Sequence, residues 1–135
     1  MYKNILVPVA LDKDHDTQAS FEAARLLANA DSEFTVLHVQ EPIPAYVASQ
    51  IPEEVLANTR KELQESLHRN AAELSGAKPH LVSGSAGRAI VDFANENDID
   101  CIVLASHKPG IENIFIGSTA NRVVHHANCS VHVIR

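Results

Sequence analysis

Tryptophan is absent from the 135 residues, and Phe and Tyr bring the aromatic content to only 4%. That argues against a stacking platform for single-stranded nucleic acid, which needs aromatic faces along a basic groove, and it leaves the core to aliphatic side chains. Bases are scarce as well: eleven Lys and Arg stand against seventeen Asp and Glu, a formal charge of −6. Proteins that grip polymeric phosphate by releasing counterions need the opposite sign, so no nucleic-acid partner is expected. Cysteine is limited to Cys101 and Cys129, with no CxxC pair and none of the dense spacing of a disulfide scaffold, so both are read as reduced structural thiols. Long hydrophobic runs are also missing. The longest, Ile5 to Leu11, is seven residues and contains Pro8, whereas a membrane helix needs about 20; no membrane insertion is expected. Asp12-Lys13-Asp14-His15-Asp16 follows it where a secretory signal would place small residues and a cleavage site, so the expected location is cytoplasmic.

What is present suits one globular domain, 1–135: 45% of residues are apolar and 21% charged, without an internal repeat or low-complexity tract. Asn4 to Leu11 is nearly continuous in Ile, Leu and Val and ends at an acidic turn, the pattern of a central strand buried on both faces. Asp16 or Thr17 can cap a helix reaching about Ala30, with Phe21, Ala23, Ala24, Leu26 and Leu27 as its apolar stripe. Glu33 to Val39 reads as a second strand. Pro42, Pro44 and Pro52 rule out regular structure over 40–52, after which Glu53 and Glu54 open a long helix. Its apolar face is Leu56, Leu63, Leu67 and Leu74, and Ser75-Gly76 ends it.

A short strand around His80 to Val82 comes next, then a turn at Gly84, a cap at Ser85, and a helix with Ile90, Phe93 and Ala94 facing inward. Asp100 to Ala105 is another buried strand. Gly117-Ser118-Thr119 opens a last helix carrying Ala120, Val123, Val124 and Ala127, and Ser130 to Ile134 closes the chain as a strand. Five strands alternating with helices predict the α/β class: a single open parallel sheet of order 3-2-1-4-5, Rossmann-like, with helices on both faces. Ligands of such sheets sit beyond the carboxyl ends of the strands where strand order reverses, which directs attention to residues 9–16, 39–52 and 105–118.

Within those loops the strongest signal is Ser106-His107-Lys108-Pro109-Gly110 followed by Gly117-Ser118-Thr119 at a helix start. The free N–H groups and positive dipole end of that helix suit an anion, with two hydroxyls as further donors. The competing reading is structural: Gly117 permits a tight turn and Ser118 caps the helix. Two common phosphate loops are absent, since there is no GxxxxGK[ST] and Ser83-Gly84-Ser85-Ala86-Gly87 is not GxGxxG. His107 in this loop is placed either to donate to a phosphate oxygen or to brace the turn.

The order of motifs resembles the universal stress protein family along essentially the whole chain. The residues that carry the likeness are Tyr-Lys-Asn-Ile-Leu-Val-Pro-Val at the start, Val-Leu-His-Val at 36–39, Ile-Val-Leu-Ala-Ser-His at 102–107, and the close from Gly117-Ser118-Thr119 to Arg135. The Ala-Ser-His-Lys-Pro loop is similar to that of a short single-domain bacterial type. The resemblance implies a stress-response regulator that binds ATP or AMP, with or without Mg, and acts as a homodimer. It places adenine near Pro8, Val9, Ala10 and the backbone of Val39, and the phosphates along Leu104, Ala105, Ser106, His107 and Lys108 and then Gly117, Ser118 and Thr119. It also implies antiparallel self-pairing through Val131, His132, Val133 and Ile134, and it leaves room for a regulated protein partner.

Three departures from the family's pattern bear on affinity. Ala105 and Lys108 stand where two glycines are usual, Pro109 to Ile116 is a spacer of eight residues where about nine is usual, and Ala10 stands where the family commonly has an adenine-contacting Asp. A Cβ in the loop limits the approach of backbone to phosphate, which Lys108 offsets with a cation, and the missing Asp removes about 1 kcal/mol. The alternative is a dimeric interaction module of the same fold that works without nucleotide.

No catalytic residue is expected, and slow incidental ATP hydrolysis is the most chemistry such a site would do. There is no nucleophile elbow and no carboxylate pair that can be set across a cleft. The eight histidines include no i, i+4 pair with a third ligand, and His125 and His126, being adjacent, are expected on different helix faces, so no metal site is assigned. Asp12, Asp14 and Asp16 form an acidic loop, without a phosphoacceptor Asp at the end of the third strand.

Overall fold

The protein is described here from a computed structural model covering residues 1–11, 17–106 and 117–135. Its strands are β1 (Tyr2–Pro8), β2 (Ala28–Gln40), β3 (Lys78–Ser83), β4 (Cys101–Ala105) and β5 (Ser130–Ile134). They form one parallel sheet in the order β3-β2-β1-β4-β5, as the alternation of elements predicted. The helices are α1 (Gln18–Leu27), α2 (Ala45–Ala48), α3 (Glu53–Ala71), α4 (Ala86–Glu96) and α5 (Ser118–His126).

Because side chains alternate along a strand, the runs Ile5-Leu6-Val7 and Cys101 to Leu104 feed two cores. Ile5, Val7, Cys101 and Val103 pack with Phe21 and Ala24 of α1 and Leu67 and Ala71 of α3. Leu6, Ile102 and Leu104 turn to the opposite face and meet Ile90 and Ala94 of α4 and Ala120 and Val123 of α5. Continuous apolar runs are what a strand covered on both sides requires, and β1 and β4 lie at the centre of the sheet for that reason.

Several boundaries differ from expectation, each with a local cause. The helix expected to reach Ala30 stops at Leu27, and its Arg25 donates to the Glu73 carbonyl (2.8 Å). Asn29 to Ser32 then bulge out of β2, because Tyr2 aligns with Ala28 but Asn4 with Glu33. Ser32 Oγ holds the bulge by accepting the Asn29 N–H and donating to the Tyr2 carbonyl. Leu26 and Val124, assigned to apolar faces, are exposed; each lies next to the inward residue of its helix rather than a turn away.

Thr17 does precede α1 but makes no side-chain cap bond, its Oγ1 accepting instead from Asn70 Nδ2 of α3 (3.3 Å). Asp16, the other candidate cap, lies outside the described residues, as do Asp12 and Asp14. Between the prolines, where no regular structure was expected, Pro44 precedes the single turn α2, since proline's fixed φ suits a helix start. α3 ends at Ala71, earlier than Gly76, and short-range turns carry the chain through Leu74 to Gly76, which takes φ +80°. Leu67 and Leu74 are buried, whereas Leu56 and Leu63 are only half-buried.

The two cysteines belong to opposite faces of the sheet, Cys101 in the core under α1 and α3 and Cys129 against the core under α4 and α5. Burial pushes the Cys101 thiol up to about 11, with Cys129 and Asp100 adding to the effect. Burial also raises Cys129, with Asp100 adding to it. An unfolded Cys101 ionises near its ordinary pKa of about 8.5, so the unfolded chain binds fewer protons than the folded one above that pH and stability must fall as pH rises toward 11. The expected loss at Cys101 is about 3 kcal/mol across that window. Urea midpoints at neutral and alkaline pH should therefore converge in Cys101→Val relative to the wild type.

Candidate functional site

The carboxyl ends of β1 and β4 part company at the centre of the sheet, β1 continuing toward α1 and β2 and β4 toward α5 and β5, and a cavity of about 310 Å³ opens between them. Pro8, Val9 and Ala10 form one wall and Leu104, Ala105 and Ser106 another. Gly117, Ser118, Thr119 and Ala120 of the α5 start close the end, and Ala86 and Ile90 come in from α4. None of these side chains titrates, so the described lining offers neither an acid nor a base.

The geometry at the α5 start follows from one peptide group. Ser106, buried at the end of β4, donates its N–H to Ile134 O of β5 (2.9 Å) and accepts from the Gly117 N–H (2.9 Å). Gly117 precedes α5 with φ −58°, which any residue can adopt, so conformational freedom is not what selects glycine there. Space is: a Cβ on Gly117 would lie 2.1 Å from Ser106 O. The tight-turn reading of Gly117 is thus half right, since closeness to β4 and not positive φ demands it. Ser118 does not cap the helix; it is the first helical residue, and no side chain caps this end among the described residues. The N–H groups of the first turn beyond Gly117 therefore face the cavity end without an intrahelical partner.

Every described residue expected near the ligand lines this cavity except Val39, which is half-buried against the core under α4. His107 and Lys108 lie outside the described residues. Sequence reasoning missed Ala86 and Ile90, and it missed His38. The His38 Nδ1–H donates to the Val9 carbonyl (2.8 Å), while the Val9 N–H donates to Leu37 O (2.8 Å). Since a carbonyl can only accept, that bond fixes the tautomer, and Val9 is clamped to β2 through both its backbone groups. The signal was the His within Val-Leu-His-Val, a polar residue where the strand is otherwise apolar. His38→Phe removes one of the two clamps, so the Val9 amide should exchange its hydrogen about fivefold faster, in line with losing about 1 kcal/mol.

A second, polar cleft of about 410 Å³ adjoins the first and shares Ala86, Ser118 and Thr119 with it. His125 and His126, expected on different faces, both reach this cleft, together with Glu41 from beyond β2. Neighbours on a helix are about 100° apart, and the cleft is wide enough to admit both. Among the described residues no group of three His, Cys, Asp or Glu is arranged to hold a metal, and no helix is long and apolar enough to cross a membrane.

Comparison with known proteins agrees with the motif order. The model of the universal stress protein family matches residues 1–135. Universal stress protein A homolog 2 of Coxiella burnetii is 31% identical over 144 aligned positions, which cover 99% of this chain and 95% of that protein. Among solved structures, universal stress protein UspA from Lactobacillus plantarum superposes with a TM-score of 0.69 at 30% identity, covering 99% of this chain and 98% of that one. The universal stress protein of Archaeoglobus fulgidus in complex with dAMP gives a TM-score of 0.64 at 24% identity, covering 99% and 98%. By its sequence along the full length, and by its sheet order, this chain belongs to the universal stress protein family.

Proposed function

We propose that the chain is a cytoplasmic stress-response regulator that holds an adenine nucleotide, ATP or AMP, at the carboxyl ends of β1 and β4. The observation that carries this reading is the apolar cavity of about 310 Å³ that ends on the uncapped first turn of α5. A flat heteroaromatic base fits between Pro8–Ala10 and Leu104–Ala105, and a phosphate meets the donors at Ser118 and Thr119. The Archaeoglobus relative in complex with dAMP supports the same ligand class. The family resemblance assigns Ser106, His107 and Lys108 to the phosphates as well, and bound Mg, if carried, would come with the nucleotide's own oxygens.

The active form is a homodimer. β5 is an edge strand whose outer side has no described partner strand, and Val131, His132, Val133 and Ile134 supply the seam by pairing with the same strand of a second copy. A second reading, a nucleotide-independent interaction module, is favoured by one observation: Ala10 offers the cavity a methyl group and no acceptor for the base.

Heat denaturation of the purified protein followed by analysis of the released small molecules, with ATP and AMP titrations beside it, separates the two. Released adenine nucleotide and saturable binding are expected. No released nucleotide together with no binding at millimolar ATP would establish the interaction module instead.

A further inference from the structure

The polar cleft between α4 and α5 is not explained by holding a base and one phosphate. Its distinguishing residue is Arg122. A Cβ on Gly87 would lie 2.8 Å from Arg122 Cδ and 3.0 Å from its Cβ, so the arginine stem lies flat across the first turn of α4 in space that only glycine leaves open. Arg122 lines the cleft and makes no ion pair with a described residue.

Around it the chemistry is rich in donors. Ser85, Ser118 and Thr119 bring hydroxyls, and His125 and His126 bring imidazoles. Among the described residues the one carboxylate in the lining is Glu41, on β2's side. Among the described lining residues one guanidinium stands against one carboxylate, and the fork of Arg122 suits a group with several acceptor oxygens. Because Ala86, Ser118 and Thr119 line both cavities, a single ligand can occupy the two together, apolar at one end and anionic at the other.

We propose that this cleft is a subsite for the phosphoryl groups beyond the first of a nucleotide whose base lies in the apolar cavity, and that Arg122 is the residue that distinguishes a polyphosphate from a monophosphate. The proposal rests on the nucleotide reading above and adds a specificity to it. Glu41 repels an anion from its own side and so confines the phosphates to the α5 wall. The cleft is open to water, which screens the pair and limits the preference to a modest factor.

Adenosine, AMP, ATP and inorganic tripolyphosphate titrated into wild type, Arg122→Gln and Gly87→Ala test it, with circular dichroism to confirm each fold. Wild type should bind ATP about tenfold more tightly than AMP, and Arg122→Gln should bring the two to near equality while adenosine and AMP hold within about twofold. Gly87→Ala keeps the guanidinium but displaces its stem, and should shrink the ATP preference as well. Added salt should erode the ATP preference of wild type and not that of Arg122→Gln, a readout that a purely structural arginine would not move. An unchanged ATP-to-AMP ratio in folded Arg122→Gln overturns the subsite and leaves the nucleotide reading intact. Absence of adenosine and AMP binding to wild type overturns both. Tripolyphosphate binding as tightly as ATP overturns the two-cavity ligand in favour of a free-anion site.

Discussion

Gly117→Val is expected to lower the melting temperature by about 5–10 °C and to abolish the proposed nucleotide binding in the apolar cavity. The added Cβ begins 2.1 Å from the Ser106 carbonyl oxygen, and the obstacle is backbone, so no side-chain rotation relieves it. Either α5 withdraws from β4 or the end of β4 bends, and in both cases the Gly117–Ser106 hydrogen bond is lost with the overpacking cost of about 1–3 kcal/mol. The first-turn N–H groups then no longer face the cavity. Ser118→Ala is the control, removing a hydroxyl without inserting bulk, and should leave the melting temperature within about 1–2 °C while weakening nucleotide binding by about fivefold. Calorimetric melting and ATP titration of both variants check this. A Gly117→Val protein that melts like wild type would mean that β4 and α5 are not in contact as described.

Val133→Pro is expected to convert the proposed homodimer into a monomer with little loss of secondary structure. Within a strand the N–H and C=O of one residue point to the same side. Ile134 O accepts from Ser106 N, so Ser130, His132 and Ile134 present their backbone groups to β4, whereas Val131 and Val133 present theirs to the open edge. Proline at 133 therefore deletes an outward donor and leaves the ladder to β4 intact, the one placement a strand tolerates. Light scattering after size exclusion should show half the wild-type mass, and circular dichroism should be nearly superimposable. A Val133→Pro protein that stays dimeric would move the seam elsewhere on the molecule.

The two substitutions also show which parts of the molecule were legible in the residue order. Sheet order and the two-sided core followed from Ile5-Leu6-Val7 and Cys101 to Leu104, since unbroken apolar runs have only one economical place in an α/β sheet. The cavity walls at Pro8–Ala10 and Leu104–Ser106 followed from where those strands end. The end of α1 did not, because tertiary contacts decide it: Leu26 and Ala28 are both good apolar residues, yet the chain leaves the helix between them to reach β1 through the Ser32 bulge. The roles of Gly87 and Gly117 were hidden for a similar reason. Each is glycine on account of an atom distant in sequence, Arg122 Cδ in one case and Ser106 O in the other. His38 escaped notice because its partner, the Val9 carbonyl, belongs to the neighbouring strand.

Ser106 offers its two main-chain polar groups to different masters, its amide to the outermost strand and its oxygen to the start of the last helix. A cargo that tugs on that helix thus reaches the rim of the sheet through one peptide plane, without crossing the interior. On the proposed function, filling the pocket and joining two copies are then mechanically adjacent events, and by thermodynamic reciprocity whichever of them strains that plane must change the ease of the other by the same factor.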